Sequence, residues 1–312
     1  MKIYSLINKF NSLRPCVLAI GMFDGVHMGH KKIINNLINE SENKYCTVLI
    51  TFYPHPKEIL YPNFNICYLN TFSERINKIQ DTGIENLIIQ PFNKKFSNLK
   101  IQEFLHKITH YKFNIKKMIV GYDFHIGKNR EGTIDKLKKN SKNYKFQFLQ
   151  ISPFKLNKEI ISSTKIRNSL LLGKIEWANS ALGYFYTISG YIKKGYGIGN
   201  FLRFPTANIK VNSKKLIPKK GVYAVKIKIL ESIFNGMMNI SINPTINYNK
   251  NNISIKVHIF NFFKNIYGKK IDIFIIKIIR EDIKFYTFEL LKNQIKEDKK
   301  IIKKFFKEKK FE

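Results

Sequence analysis

Acid is scarce in this chain: 22 Asp and Glu stand against 55 Lys and Arg over 312 residues, for a formal net charge of +33. Trp occurs once and Cys three times, and no apolar run reaches membrane-spanning length; runs such as Val17–Ile20 and Val48–Phe52 are strand-sized. That excludes a bilayer-spanning helix. Cys16, Cys46 and Cys67 make neither a disulfide framework nor a CxxC pair, and the opening MKIYSLINKF lacks the apolar core and cleavage site of a secretory leader, so a cytoplasmic protein is expected. What is present is enough to fold. With 44% hydrophobic and 14% aromatic residues the chain can build real cores, and its length suits two domains of roughly 100–200 residues each.

The positive balance is also what a nucleic-acid binder needs to neutralise phosphates. Here the excess is nearly all Lys, spread singly and in pairs, and it comes with abundant Asn, Ile, Phe and Tyr, as an AT-rich coding sequence produces whatever the protein does. No RNP, zinc-finger or helix-turn-helix pattern accompanies it. A basic nucleic-acid-binding protein is kept as the remote alternative.

The first half alternates strand-length and helix-length segments: strands Val17–Ile20, Thr47–Phe52, Leu87–Ile89, Met118–Val120 and Phe146–Ile151, with helices Lys31–Asn39, Phe72–Asp81 and Ile101–Ile108. This pattern predicts an α/β parallel sheet. From Tyr186 onward the period changes to two. Val225, Ile227 and Ile229 fall on one face and Lys226 and Lys228 on the other, and Ile253–Ile259 repeats the alternation, which predicts a small antiparallel barrel. A closing helix is expected over Thr287–Lys309, its apolar stripe docked on its own domain rather than on a membrane. The boundary is expected near Gly183–Tyr186, giving domains 1–184 and 185–312.

The stretch Ala19-Ile-Gly-Met-Phe-Asp-Gly-Val-His-Met-Gly-His30 links the first of these strands to the first helix. Glycines 21, 25 and 29 allow close approach of a polyphosphate, and a helix N-terminus aims unpaired N–H groups at it. His27 and His30 can face the same ligand. A zinc site would need a third ligand and carboxylates that are missing here. At Ile161-Ser-Ser-Thr-Lys-Ile-Arg167, Ser163 and Thr164 can cap a helix and bind phosphate, and Arg167 can reach a β- or γ-phosphate. Thr51-Phe-Tyr-Pro-His-Pro56 and Gly121-Tyr-Asp-Phe-His-Ile-Gly-Lys128 each end an expected strand, so these motifs converge on the carboxyl edge of one sheet.

HxGH after a strand resembles the nucleotidyltransferase superfamily. The order GxFDGVHxGH, TFxPHP, GxDFxxGKxRxG and ISSTxIR further resembles the FMN adenylyltransferase half of the bacterial riboflavin kinase/FMN adenylyltransferase family, bifunctional FAD synthetases. The resemblance implies a Rossmann-like domain in which Gly21, Phe23, Asp24, Gly29, Asp123, Ser163 and Thr164 meet ATP, with Asp123 on the adenosine side. It implies His27, His30 and Arg167 as the catalytic phosphate contacts and Pro54, His55 and Pro56 as the flavin-side loop. Met22, Tyr122, His125 and Ile126 depart from the family's usual choices without removing a phosphate ligand.

The second half is similar to the riboflavin kinase module: Phe204-Pro-Thr-Ala-Asn208, Gly221-Val-Tyr-Ala-Val225, Asn239-Ile-Ser-Ile-Asn-Pro-Thr245, Val257-His-Ile-Phe-Asn-Phe262, Ile266-Tyr-Gly-Lys269 and Arg280-Glu-Asp-Ile-Lys-Phe285, then Gln294 and Asp298. Thr206 and Asn208 offer hard oxygens suited to Mg2+ and ATP phosphate. The resemblance implies riboflavin, FMN and ATP as small-molecule partners and FAD as product. One departure bears on the chemistry. Lys256 stands where the family carries a glutamate base, and no Asp or Glu occurs between Glu231 and Asp272. The resemblance implies a bifunctional enzyme that phosphorylates riboflavin to FMN and adenylylates FMN to FAD; because an ammonium cannot accept a proton, the alternative is FMN adenylyltransferase alone, with kinase activity weak or absent. Asn200, Arg203, Ser241, Asn243 and Asn261 are further departures.

Overall fold

The computed structural model describes residues 1–63, 65–110, 113–194, 204–242 and 253–309. Asn200, Arg203, Asn243 and the Pro-Thr that follows it lie outside the described residues. The chain divides into two compact units, Met1–Ser163 and Thr164–Glu312, each described by itself.

The first unit is a parallel sheet of β1 (Lys2–Tyr4), β2 (Cys16–Ile20), β3 (Cys46–Tyr53), β4 (Asn86–Pro91), β5 (Ile115–Gly121) and β6 (Gln147–Ile151), in the order β1-β4-β3-β2-β5-β6. Its helices are α1 (Met28–Ser41), α2 (Pro56–Leu60), α3 (Phe72–Gln80), α4 (Lys94–Ser97), α5 (Ile101–His110) and α6 (Ile134–Asn143). Strands buried on both faces read as near-continuous apolar runs, as β2 and β3 do. Val17, Ala19 and Leu49 pack with Ile34, Leu37 and Ile79 from α1 and α3, while Leu18, Ile20 and Ile50 pack with Phe104 and Leu137 from α5 and α6. The chain runs from β2 out to β3 and β4, then crosses back to place β5 on the other side of β2. The crevice at that reversal, outside the carboxyl ends of β2 and β5, is where an open α/β sheet binds ligands.

A short hairpin, β7 (Lys155–Leu156) and β8 (Glu159–Ile160), precedes α7 (Ser163–Leu171), whose first turn contains the division between the units. Cys16 and Cys46, register partners on β2 and β3 with Cα atoms 4.6 Å apart, are joined as a disulfide. This corrects the reading of the cysteines as unpaired: adjacency across parallel strands is invisible in their spacing along the chain.

The second unit is a closed antiparallel barrel of β9 (Tyr186–Lys193), β10 (Ala207–Val211), β11 (Gly221–Ile229), β12 (Ser232–Ile242), β13 (Ile253–Ile259) and β14 (Lys270–Glu281), in the order β10-β13-β12-β11-β14-β9. Closure removes the sheet edges. Val225, Ile227, Met238, Ile240, Ile255, Val257, Ile273 and Ile275 are buried, in keeping with the period-two pattern. The final helix, α9 (Phe288–Glu308), lays Ile295, Ile302, Phe305 and Phe306 over Val222, Ala224, Met237 and Phe260 on the outer wall.

The helix α8 (Ile175–Leu182) also belongs to this unit, for a visible reason. Asn179 donates to the Ile275 carbonyl at 2.9 Å and accepts from the Tyr186 amide at 2.7 Å, fastening α8 to β14 and β9. Gly183 ends α8 with φ 69°, a left-handed conformation that glycine adopts without a Cβ penalty. Among the described residues no helix is long and apolar enough to cross a membrane.

Candidate functional site

In the first unit the Gly21–His30 segment follows β2 and becomes α1. Gly21 donates its N–H to the Ile50 carbonyl at 3.1 Å, and Gly25 turns the chain with φ 87°. His27 is the N-cap of α1: its Nδ1 accepts from the His30 amide at 3.3 Å. The rings of His27 and His30 stack with centroids 3.6 Å apart, and Phe23, fully buried, meets His30 edge-on at 5.2 Å. A Cβ on Gly29 would stand 3.1 Å from the His27 ring, so glycine here leaves the first histidine its room.

Burial, reinforced by His27 and Arg75, holds the pKa of His30 well below the ordinary histidine range. His30 is therefore a neutral imidazole at pH 7, and its buried Nδ1 has no hydrogen-bond partner.

Asp24 is buried, and its two carboxylate oxygens accept from the amides of Asn70 and Leu69 at 3.1 and 3.2 Å. Its backbone carbonyl accepts from the Ser163 hydroxyl at 2.9 Å. Asp24 thus pins the glycine-rich segment to the chain ahead of α3, and the first residue of α7 is pinned to the same segment. Thr164 is exposed, and Arg167 lies one turn further along α7, half-buried.

At the end of β3, Pro54 follows a cis peptide bond. His55 caps α2, its Nδ1 accepting from Lys57 at 3.1 Å, while its own N–H donates to the Tyr68 hydroxyl at 3.1 Å. Tyr68 in turn donates to Glu58, so the Pro54–Pro56 turn is bolted to the segment before α3. Past β5, Asp123 is exposed; its carbonyl meets His125 Nδ1 at 2.8 Å, and Arg130 reaches the same ring nitrogen at 3.2 Å. Sequence reasoning missed Tyr68, Glu58 and Arg75. Arg75 left a trace: it precedes Ile79 by four residues, on the inward stripe of α3.

On the barrel, strand parity puts Asn208, Ser254, Lys256 and His258 on the outward side, and Thr206 immediately precedes β10. Asn208, Lys256 and Asn239 are register partners across β10, β13 and β12, so the half-buried lysine lies between two amides. His258 is 6% exposed, and its Nδ1 meets the Pro205 carbonyl at 2.9 Å. A carbonyl can only accept, so Nδ1 carries the proton and Nε2, buried without a partner, is the lone-pair nitrogen. Burial lowers the His258 pKa, with Lys299 and Lys303 adding to the effect and the Pro205 bond opposing it. Lys299 of α9 reaches over both Phe204 and Phe260, 5.4 and 5.7 Å from their ring centroids.

Further along α9, Asp298 receives Arg280 Nε at 2.9 Å and Nη2 at 2.8 Å, plus Gln294 at 3.0 Å. The Arg280, Gln294 and Asp298 of the sequence motif are thus the clamp that docks the helix on the barrel. Among the described residues no group of three or more His, Cys, Asp or Glu could hold a metal ion.

Comparison with known proteins supports both halves. The FAD synthetase family profile matches residues 9–165 and the riboflavin kinase profile residues 182–306, leaving 166–181 between them. A bifunctional riboflavin kinase/FMN adenylyltransferase of Buchnera aphidicola subsp. Schizaphis graminum is 40% identical over 96% of this chain and 96% of its own length. The protein of the same description from Bacillus subtilis is 35% identical over 93% of this chain and 92% of its own. A crystal structure titled macrolide-efflux protein from Streptococcus pneumoniae superposes with a TM-score of 0.88 at 26% identity, covering 97% of this chain and 98% of that one. With both halves matched in order and the identity spread over nearly the whole length, the chain belongs to the bifunctional riboflavin kinase/FMN adenylyltransferase family.

Proposed function

We propose that the chain makes FAD from riboflavin in two ATP-dependent steps: riboflavin and ATP give FMN and ADP in the region matched by the riboflavin kinase family, 182–306, and FMN and ATP give FAD and pyrophosphate in the region matched by the FAD synthetase family, 9–165. The observation that carries the second step is the stacked His27–His30 pair at the head of α1, beside the reversal point of the parallel sheet. An oxygen of the FMN phosphate attacks the α-phosphorus of ATP and pyrophosphate leaves. No covalent enzyme intermediate is needed, so catalysis is positioning and electrostatic stabilisation.

In this reading His27, His30 and the N–H groups of α1 donate to the phosphate oxygens, with Ser163, Thr164 and Arg167 as further phosphate contacts by their place in the ISSTxIR motif. Asp123, exposed past β5, takes the adenosine side, and Pro54–Pro56 the flavin side. Gly21 and Gly29 give the Phe23 and His27 rings their room. Phe23 and Asp24 serve from behind, by seating His30 and by fixing the glycine-rich segment.

For the first step, Thr206 and Asn208 are the proposed Mg2+ contacts. The donor set is neutral and hard, which fits a Mg2+ whose charge is met by ATP phosphates. Such an ion would screen the charge on those phosphates. Lys256, register partner of Asn208, sits where the family's proton acceptor is expected. That observation favours a second reading in which the kinase step is weak or absent and the adenylyltransferase works alone. Soluble substrates, and the lack of a membrane-crossing helix among the described residues, support a cytoplasmic setting.

Two assays with ATP and Mg2+ test this, one started from riboflavin and one from FMN, with flavins separated by chromatography. FAD from both supports the bifunctional reading, and FAD from FMN alone supports the second. FAD from neither overturns both.

A further inference from the structure

Arg75 belongs to none of the motifs, yet it is one of the largest fully buried side chains, 2% exposed. Its placement begins upstream, where Asp24 holds the amides of Leu69 and Asn70. A capping box then starts α3: Thr71 Oγ1 accepts from the Glu74 amide at 3.3 Å, and Glu74 accepts from the Thr71 amide at 2.8 Å. The next residue, Arg75, points inward. Its Nη1 donates to the Met22 carbonyl at 2.9 Å and its Nη2 to the Phe52 carbonyl at 3.2 Å. Thr51 Oγ1 donates to the same Met22 carbonyl at 3.1 Å. Met22 lies in the segment that leads to His27 and His30, and Phe52 just precedes Pro54 and His55.

Burying a guanidinium is costly, and an apolar residue would fill the space without that cost. What an apolar residue cannot do is hold two carbonyls at the ends of two neighbouring strands with one rigid, planar fork. Parallel strands that diverge past their last ladder bond leave such carbonyls unpaired, and the loops that follow them are then free to separate.

We propose that Arg75 is a positioning residue for adenylyl transfer, tying the loop that carries His27 and His30 to the loop that carries Pro54–Pro56 so that the two phosphate-bearing substrates meet at one fixed spacing. This rests on the adenylyl-transfer reading above. A spacing error of about 1 Å from a residue remote from the chemistry costs on the order of 10²-fold in rate while leaving each substrate's own contacts in place.

The test is steady-state kinetics of FAD formation from FMN and ATP with Arg75→Met, Arg75→Gln and Arg75→Lys, each checked for folding by circular dichroism and thermal unfolding. The expected result for Arg75→Met is a kcat lower by about 10²-fold with both KM values within a few-fold of wild type. Arg75→Lys, which keeps a donor and a charge, recovers part of the loss; Arg75→Gln, with one amide donor pair, falls between and carries the comparison if the Met variant does not fold. A kcat within about threefold of wild type in a folded Met or Gln variant, or a loss that follows only the folded fraction, overturns the inference. If wild type itself forms no FAD from FMN, the adenylyl-transfer reading fails first and takes the role of Arg75 with it.

Discussion

At the head of α1 the groups that suit phosphate chemistry and the framework that aims them occur together, whereas on the barrel the framework stands beside a lysine at the position proposed for the proton acceptor. His27 and His30 are stacked, seated by Gly29 and Phe23, and pinned through Asp24. On the barrel the Arg280–Asp298 clamp and the Pro205–His258 tether are in place, while the residue between Asn208 and Asn239 is a lysine. The difference teaches that the architecture of a site and its acid–base chemistry are specified by separate residues. A barrel and its docked helix depend on buried contacts that a single outward-facing substitution does not touch.

Breaking the framework of the barrel should have the largest effect on stability. Asp298 is almost fully buried against Arg280, so Asp298→Ala strands a cation and should lower the unfolding free energy of the second unit by about 3–5 kcal/mol, measured by urea titration. FAD formation from FMN is the contrast, and it should be retained wherever the first unit stays folded. His27→Ala acts on the other side of the comparison: loss of one preorganised phosphate donor should lower kcat for FAD formation about 10²–10³-fold, leaving FMN formation from riboflavin unchanged.

A smaller effect concerns pH. The unfolded chain takes up a proton on His30 as pH falls through the ordinary histidine range, and the folded chain, whose His30 titrates well below it, does not. The first unit should therefore lose stability across that window, and above it the contribution should vanish. Thermal midpoints of wild type and His30→Gln against pH would show a steeper acid-side fall in the wild type.

Much of this was legible in the sequence because the signals are periodic or local. The apolar run Val48–Phe52 and the alternation over Val222–Ile229 fall within β3 and β11, and of the apolar residues along the closing helix Ile295, Ile302 and Phe305 are docked while Leu290 and Ile301 are exposed. The stacked pair was legible because His27 and His30 are close in sequence at a strand–helix junction. What escaped depended on distance along the chain. Arg75 meets carbonyls 53 and 23 residues away, and Cys16 meets Cys46 across 30 residues. Asn179 of α8 bonds to the Ile275 carbonyl of β14, 96 residues further along the chain. No window of the sequence contains both ends of such contacts.

The comparison turns on Lys256, and one substitution addresses it most directly. Wild type and Lys256→Glu are assayed in parallel, with FMN formation read from riboflavin and FAD formation from supplied FMN. A restored proton acceptor should raise the rate of FMN formation by about 10²–10⁴-fold while FAD formation from FMN stays the same. An unchanged or lower rate of FMN formation in the folded variant would contradict the account, because the lysine would then not be what limits the barrel's chemistry.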